Sequence, residues 1–185
     1  TFIENNYVTV QPTEQFQGST ELYVRRVGAM APGWKFEQIL PTLADKAVDY
    51  ISQRAKTRQP FFLYFPLTTP HEPIAPSAKF KGKSGISAAG DLIMESDWAL
   101  GRVMEALAKY GLTENTLLIF TADNGHSAYT GLEPFIKAGH RVSGPFRGYK
   151  TDAWDGGHHE PFVARWPGVV KPGSQCAQLV SLNDC

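Results

Sequence analysis

The sequence predicts an α/β fold in which parallel strands alternate with helices. Three observations carry that prediction. Phe61–Leu67 (FFLYFPL) and Thr116–Asp123 (TLLIFTAD) are apolar runs of strand length, continuous rather than alternating, as expected for strands buried on both faces. The stretch between them has helical periodicity. Strand, helix and strand joined by short links form a βαβ unit, whose two strands are parallel neighbours.

Residues 1–34 read as an irregular excursion, with a weak hairpin signal where YVTV follows the Asn5-Asn6 turn. Residues 35–185 read as the sheet-and-helix core. Leu40, Ala44, Ala47, Ile51 and Ala55 recur at helical spacing, Pro41 suits a first turn, and Gln59-Pro60 ends the helix. The Phe61–Leu67 strand follows. The prolines of TTPHEPIAP then exclude regular structure, so this segment is a loop at the strand's C-terminal end. A second helix is expected from about Ser87 to Tyr110, with Ile93, Leu100, Val103, Met104 and Leu107 as its apolar face and Gly111 as its cap. Thr116–Asp123 is the next buried strand, and residues 125–160 are a long Gly-rich excursion. Phe162–Gly168 (FVARWPG) resembles another strand. A loop as long as 125–160 is usually functional. If the strands are parallel, TTPHEP and DNGH emerge at one sheet edge, where open α/β sheets bind ligands.

The chain has 185 residues and no net charge, which disfavours a nucleic-acid binder. Hydrophobic residues at 42% against 19% charged exclude a disordered chain. No apolar run is long enough to insert into a membrane. Neither terminus carries a start or stop signal, so the chain is expected to be a piece of a longer protein. Cys176 and Cys185 lie in no metal or redox spacing and read as unpaired thiols.

Asp123 and Asn124 supply side-chain oxygen at the end of an apolar strand, and Gly125 lets the chain turn at once. Hard cations such as calcium and magnesium take oxygen ligands, although the same tripeptide also makes ordinary turns. His71, in a proline-braced loop, has the chemistry to bind an anion or protonate a leaving group. Lys137, His140, Arg141, Arg147 and Lys150 form a basic stretch without an acidic residue, suited to sulfate or phosphate or simply to solvent. His158 and His159 are adjacent, but no third ligand falls at a zinc spacing. A cation site, a His and a basic loop at one sheet edge are the parts of an enzyme that hydrolyses a sulfate or phosphate ester.

The strings PFFLYFPLTTPHEPIAP, TLLIFTADNG and GPFRGYKTDAWDGGHHEPFVARWPG, in this order, resemble the formylglycine-dependent sulfatases of the alkaline-phosphatase-like superfamily. The similarity is closest to the arylsulfatase and N-acetylgalactosamine-6-sulfatase branch. The resemblance implies a three-layer sandwich with a largely parallel central sheet flanked by helices. It also implies a sulfuric ester hydrolase that uses one calcium ion and acts on an aryl sulfate or a sulfated sugar in the periplasm, outside the cell or in lysosomes. Asp123 and Asn124 match the second pair of calcium ligands. His71 matches the His of a TxPHxP motif that contacts sulfate and assists the leaving group. Lys150 matches the sulfate-binding Lys of a GxK motif, and His140 lies more loosely at a pocket position.

The sequence departs from that pattern in two ways. His159 stands where the family usually has Arg after Glu-Gly-Gly, and His cannot reproduce bidentate guanidinium contacts. The C/S-x-P-S-R motif that yields formylglycine is absent, as are the paired aspartates that complete the calcium site; the nearest string, APSAK at 75–79, lacks both nucleophile and Arg. Residues 1–185 therefore read as the later part of a catalytic domain, inactive alone, whose truncated sheet edge would be open to self-association. The competing readings are a phosphatase or phosphodiesterase of the same superfamily and a non-catalytic sulfatase-like binding protein.

Overall fold

The computed structural model describes every residue except residue 58. Its scaffold is a pair of long helices, α1 (Ile39–Thr57) and α2 (Ala88–Lys109), packed against each other. Their seam is built from small and branched residues: Ala47 and Ile51 of α1 meet Val103, Ala106 and Leu107 of α2. Leu40, Ala44 and Ala99 continue the seam at its other end. The helix boundaries follow local signals. The Ser87 side chain accepts the Gly90 N–H at 3.3 Å and so caps the start of α2. Gly111, at φ +67°, ends it in the left-handed conformation that favours glycine.

Four short strands precede α1. β1 (Ile3–Glu4) and β2 (Tyr7–Val8) form an antiparallel hairpin around Asn5, which has φ +54°. β3 (Glu14–Phe16) pairs with β4 (Gly28–Met30), also antiparallel. The hairpin expected at Asn5-Asn6 is therefore present, and residues 1–34 are more regular than the sequence predicts.

The strands after α1 differ most from expectation. Phe61–Leu67 pairs with no other strand among the described residues. Phe61, Leu63, Phe65 and Leu67 point onto the two helices. Phe62 and Tyr64, on the other face, are 83% and 75% exposed. The run is thus covered on one side only, with the period-two alternation of a strand whose second face has no layer over it. Thr116–Asp123 shortens to β5 (Leu118–Thr121), half-buried rather than buried. β5 pairs antiparallel with β6 (Phe162–Arg165), with Ile119 opposite Ala164, and not in parallel with Phe61–Leu67. Leu118 nevertheless packs on the same helical cluster as Phe61–Phe65, so the two segments lie over one helix layer. Ile93, expected on the buried face of α2, is exposed; Ala89, Leu92 and Ala99 are buried in its place.

Two short helices complete the chain: α3 (Leu132–Lys137) and α4 (Asp155–His158), both within the Gly-rich excursion. Phe135 of α3 is buried against Ile74, Ala89 and Leu92. Cys176 and Cys185 are free and exposed. No described helix is long and apolar enough to cross a membrane.

Candidate functional site

Asp123, Asn124 and Gly125 leave the end of β5 and run directly against α4. The Gly125 N–H donates to the Gly157 carbonyl at 3.0 Å. The approach is so close that a Cβ on Gly125 would fall 1.9 Å from the Gly156 carbonyl oxygen. A Cβ on Gly156 would in turn fall 2.2 Å from the Gly148 carbonyl oxygen. Three chain segments, around 125, 148 and 156, are therefore stacked backbone on backbone, an arrangement that only glycine permits. The same excursion delivers Lys150, whose N–H donates to the His126 carbonyl at 2.9 Å. Two main-chain hydrogen bonds thus tie the Asp-Asn-Gly turn to the Gly-Gly turn and to Lys150.

Asn124 donates its amide nitrogen to the Gly125 carbonyl at 3.0 Å, which leaves its side-chain oxygen as the available acceptor. Asp123 lies near a second acid that sequence reasoning passed over, Glu160. Burial first, and then the negative charge of Asp123, raise the Glu160 pKa above its ordinary value; His158 and His159 oppose them. Glu160 Oε1 is buried without a hydrogen-bond partner. Two carboxylates in one region, one with an orphaned oxygen, fit a nearby cation better than they fit each other. Asp123 and Asn124 offer hard oxygen donors, but calcium takes six to eight. Among the described residues no cluster of three or more His, Cys, Asp or Glu side chains is arranged to hold a metal ion. The donor set therefore fits part of a calcium site.

His140 is exposed on the segment after α3, 5.6 Å from Phe135 between ring centroids. His126, 5.4 Å from the same Phe135, is the second residue sequence reasoning passed over. Burial, with a smaller contribution from His140, lowers its pKa, and its Nε2 is buried without a partner. The signal available for it was adjacency to Asp-Asn-Gly. Of the expected basic cluster, Lys137, Arg141 and Arg147 are exposed, and the Arg147 guanidinium lies 4.0 Å above the Trp154 ring. His159 stacks on Phe146, with centroids 4.3 Å apart and planes 24° from parallel. It serves there as a flat ring against an aromatic face, a contact a guanidinium can also make.

His71 stands apart from this group. Its side chain is 56% exposed, and its polar contacts are with its own neighbour. Nδ1 lies 3.0 Å from the Glu72 carbonyl oxygen and 3.5 Å from the Glu72 carboxylate. A carbonyl only accepts, so Nδ1 carries the hydrogen and Nε2 remains for other partners. Its loop reaches the rest of the site through Ile74, which packs against Phe135 of α3. The Lys150 backbone is therefore tied to His126, two residues after Asn124, His140 shares Phe135 with His126, and among the described residues His71 has no hydrogen bond or ion pair with any of them. A concavity lined by Phe16, Val24, Met30, Trp34 and Ile39 sits among the N-terminal strands; none of the candidate residues lines it.

Comparison with known proteins agrees with this architecture. An N-acetylgalactosamine-6-O-sulfatase of Bacteroides thetaiotaomicron is 37% identical over 95% of this chain and 35% of its own length. The steryl-sulfatase of Rattus norvegicus is 34% identical over 80% of this chain and 25% of its own length. A solved sulfatase structure from work on glycosaminoglycan metabolism by Bacteroides thetaiotaomicron superposes with a TM-score of 0.72 at 37% identity. It covers 80% of this chain and 32% of that one. The chain thus spans about a third or less of these relatives, and it shares their α/β fold. The family profile described as Sulfatase matches residues 4–185, nearly the whole chain, and the chain belongs to the sulfatase family.

Proposed function

We propose that this chain is the later part of a sulfatase catalytic domain whose complete protein hydrolyses sulfate esters. The observation that carries the reading is the pair of main-chain hydrogen bonds, Gly125 to Gly157 and Lys150 to His126. They tie the oxygen-bearing turn to the Gly-Gly turn and to the backbone of Lys150, and oxygen donors with an ammonium group are what a doubly charged cation and a sulfate require. The one-sided burial of Phe61–Leu67 and the half-exposed β5 and β6 support a sheet completed by more of the domain.

In this reading Asp123 and Asn124 give two of the calcium ligands. The ion would supply positive charge to offset the charge of the sulfate group. Lys150 holds the sulfate oxygens as a point charge. Protonated His71 donates the Nε2 proton to the ester oxygen as the sulfur–oxygen bond breaks, and its Nδ1–H stays on the Glu72 carbonyl to fix the ring. A formylglycine in the complete enzyme would supply the attacking hydroxyl, and this chain holds no C/S-x-P-S-R motif to make it. The chain alone is accordingly expected to be inactive. The relatives' names favour sulfated sugars or steroids as substrates, and an extracytoplasmic or lysosomal location accompanies that class.

The test uses the full-length protein with N-acetylgalactosamine 6-sulfate, 4-nitrophenyl sulfate and 4-nitrophenyl phosphate, before and after chelation of calcium. Calcium-dependent sulfate release is expected. Hydrolysis of the phosphate ester alone would sink the sulfatase reading, and no turnover of any ester in a calcium-loaded protein would favour a binding role.

A further inference from the structure

Helix α2 carries three buried polar side chains, Asp91, Glu95 and Ser96, on the face that meets the loops rather than water. Acidic residues are almost never fully buried without partners, so each calls for a reason. Asp91 has one: its two oxygens accept the N–H groups of Gly82 and Ser84, both at 2.7 Å. Glu95, 1% exposed, sits one turn further along. Its Oε2 accepts the Ser77 N–H at 2.8 Å, and its Oε1 is buried without a partner.

Ser96 provides the second tie. Its hydroxyl donates to the Leu92 carbonyl at 3.0 Å. A hydroxyl has one hydrogen, so in the 2.6 Å contact with Thr69 it is the threonine that donates and Ser96 that accepts. Thr69 and Ser77 bracket His71. Between them Ile74 is 1% exposed, packs on Ala89 and Leu92 of the same helix, and donates its N–H to the Leu22 carbonyl at 3.0 Å. The loop is thus fastened to consecutive residues of α2 at its two ends and plugged into the helix in its middle, while His71 itself makes no polar contact beyond Glu72 among the described residues.

We infer that Glu95 and Ser96 are positioning residues that hold the His71 loop at both ends and so aim the imidazole. The inference rests on the reading of His71 as the leaving-group donor. It also accounts for a carboxylate buried with one oxygen unsatisfied. An apolar side chain at residue 95 would pack without that cost, but would release the Ser77 amide.

A misplaced proton donor has a signature that general destabilisation lacks. It slows esters with poor leaving groups far more than those with good ones, because a good leaving group departs without a proton. The experiment measures kcat/KM of the full-length enzyme on aryl sulfates from 4-nitrophenyl to phenyl sulfate. The variants are Glu95→Ala, Glu95→Gln, Ser96→Ala, Asp91→Asn and His71→Ala. His71→Ala should lose most on phenyl sulfate. Glu95→Ala and Ser96→Ala should show the same leaving-group dependence in weaker form, roughly ten- to a hundredfold on phenyl sulfate. Glu95→Gln retains an oxygen for the Ser77 amide and should restore most of the activity. Asp91→Asn, which loosens 82–84, should lower Tm and leave the dependence unchanged.

Ser96→Ala removes only a hydroxyl, and it decides the matter if Glu95→Ala does not fold. A steep dependence in His71→Ala with equal losses on all substrates in the Glu95 and Ser96 variants overturns the positioning role alone. A flat His71→Ala profile overturns the His71 assignment and the inference with it.

Discussion

The main-chain amide of Lys150 donates to the carbonyl of His126 at 2.9 Å, so the ammonium-bearing residue is set by the backbone of the turn that carries Asp123 and Asn124. That turn is held in place by the absence of a side chain at residue 125, where a Cβ would lie 1.9 Å from the Gly156 carbonyl oxygen. The obstacle is backbone and cannot rotate aside. Gly125→Ala should therefore destabilise the protein by roughly 1–3 kcal/mol and displace Lys150 along with the turn. Thermal unfolding would detect the loss of stability, and a raised KM for sulfate esters would detect the displacement. A substitution neutral in both would show that the two turns are not in register.

His71 makes its polar contacts with Glu72 and none with Asp123 or Asn124. His71→Ala in the full-length protein should consequently leave calcium affinity unchanged, while turnover of an unactivated sulfate ester falls by about 10²- to 10⁴-fold. Calorimetric titration with calcium and steady-state kinetics on the same preparation would check both halves. A parallel loss of calcium binding would mean that the loop is part of the cation site rather than a separate arm.

Local signals carried most of what was legible in the sequence. Ser87 and Gly111 marked the ends of α2 because caps act within one turn, and the Leu40-to-Ile51 spacing gave the buried stripe of α1 directly. An unbroken apolar run such as Phe61–Leu67 does not say whether both of its faces are covered. Phe62 and Tyr64 are apolar yet exposed, since what would cover them is not local to the run. The antiparallel partner of β5 lies beyond the excursion, at a sequence distance periodicity does not reach. Within the site, Asp123, Asn124 and Lys150 stood out by residue type and motif. Glu160 and Glu95 did not, because an acid on a helix or loop ordinarily faces water and only the fold reveals its burial.

Asp123 and Asn124 supply fewer oxygens than calcium takes. Calcium affinity of this chain alone should accordingly be weak, in the millimolar range or beyond, and Asp123→Ala should remove what affinity remains. In the full-length protein the same substitution should abolish tight binding. Isothermal titration of both chains would test this. Micromolar affinity in the isolated chain would require ligands beyond Asp123 and Asn124, with Glu160 the first to examine.

Asp91 makes a prediction about pH. Burial acts to raise its pKa, but the N–H groups of Ser84 and Gly82 and the Ser84 side chain outweigh burial and hold it below the ordinary carboxylate value. A carboxyl group with a depressed folded-state pKa stabilises the fold fully above its unfolded pKa, about 3.9. That contribution disappears as the pH falls through the lower folded value. Asp91→Asn removes the charge at every pH and should reduce stability near pH 6. Toward the acid end the native carboxyl progressively takes up its proton, and the difference between variant and native should narrow. The stability gained between pH 2 and pH 6 should therefore be smaller in the variant, as read from urea midpoints at the two ends. An unchanged gain would mean that the Gly82 and Ser84 amides do not favour the charged carboxylate in solution.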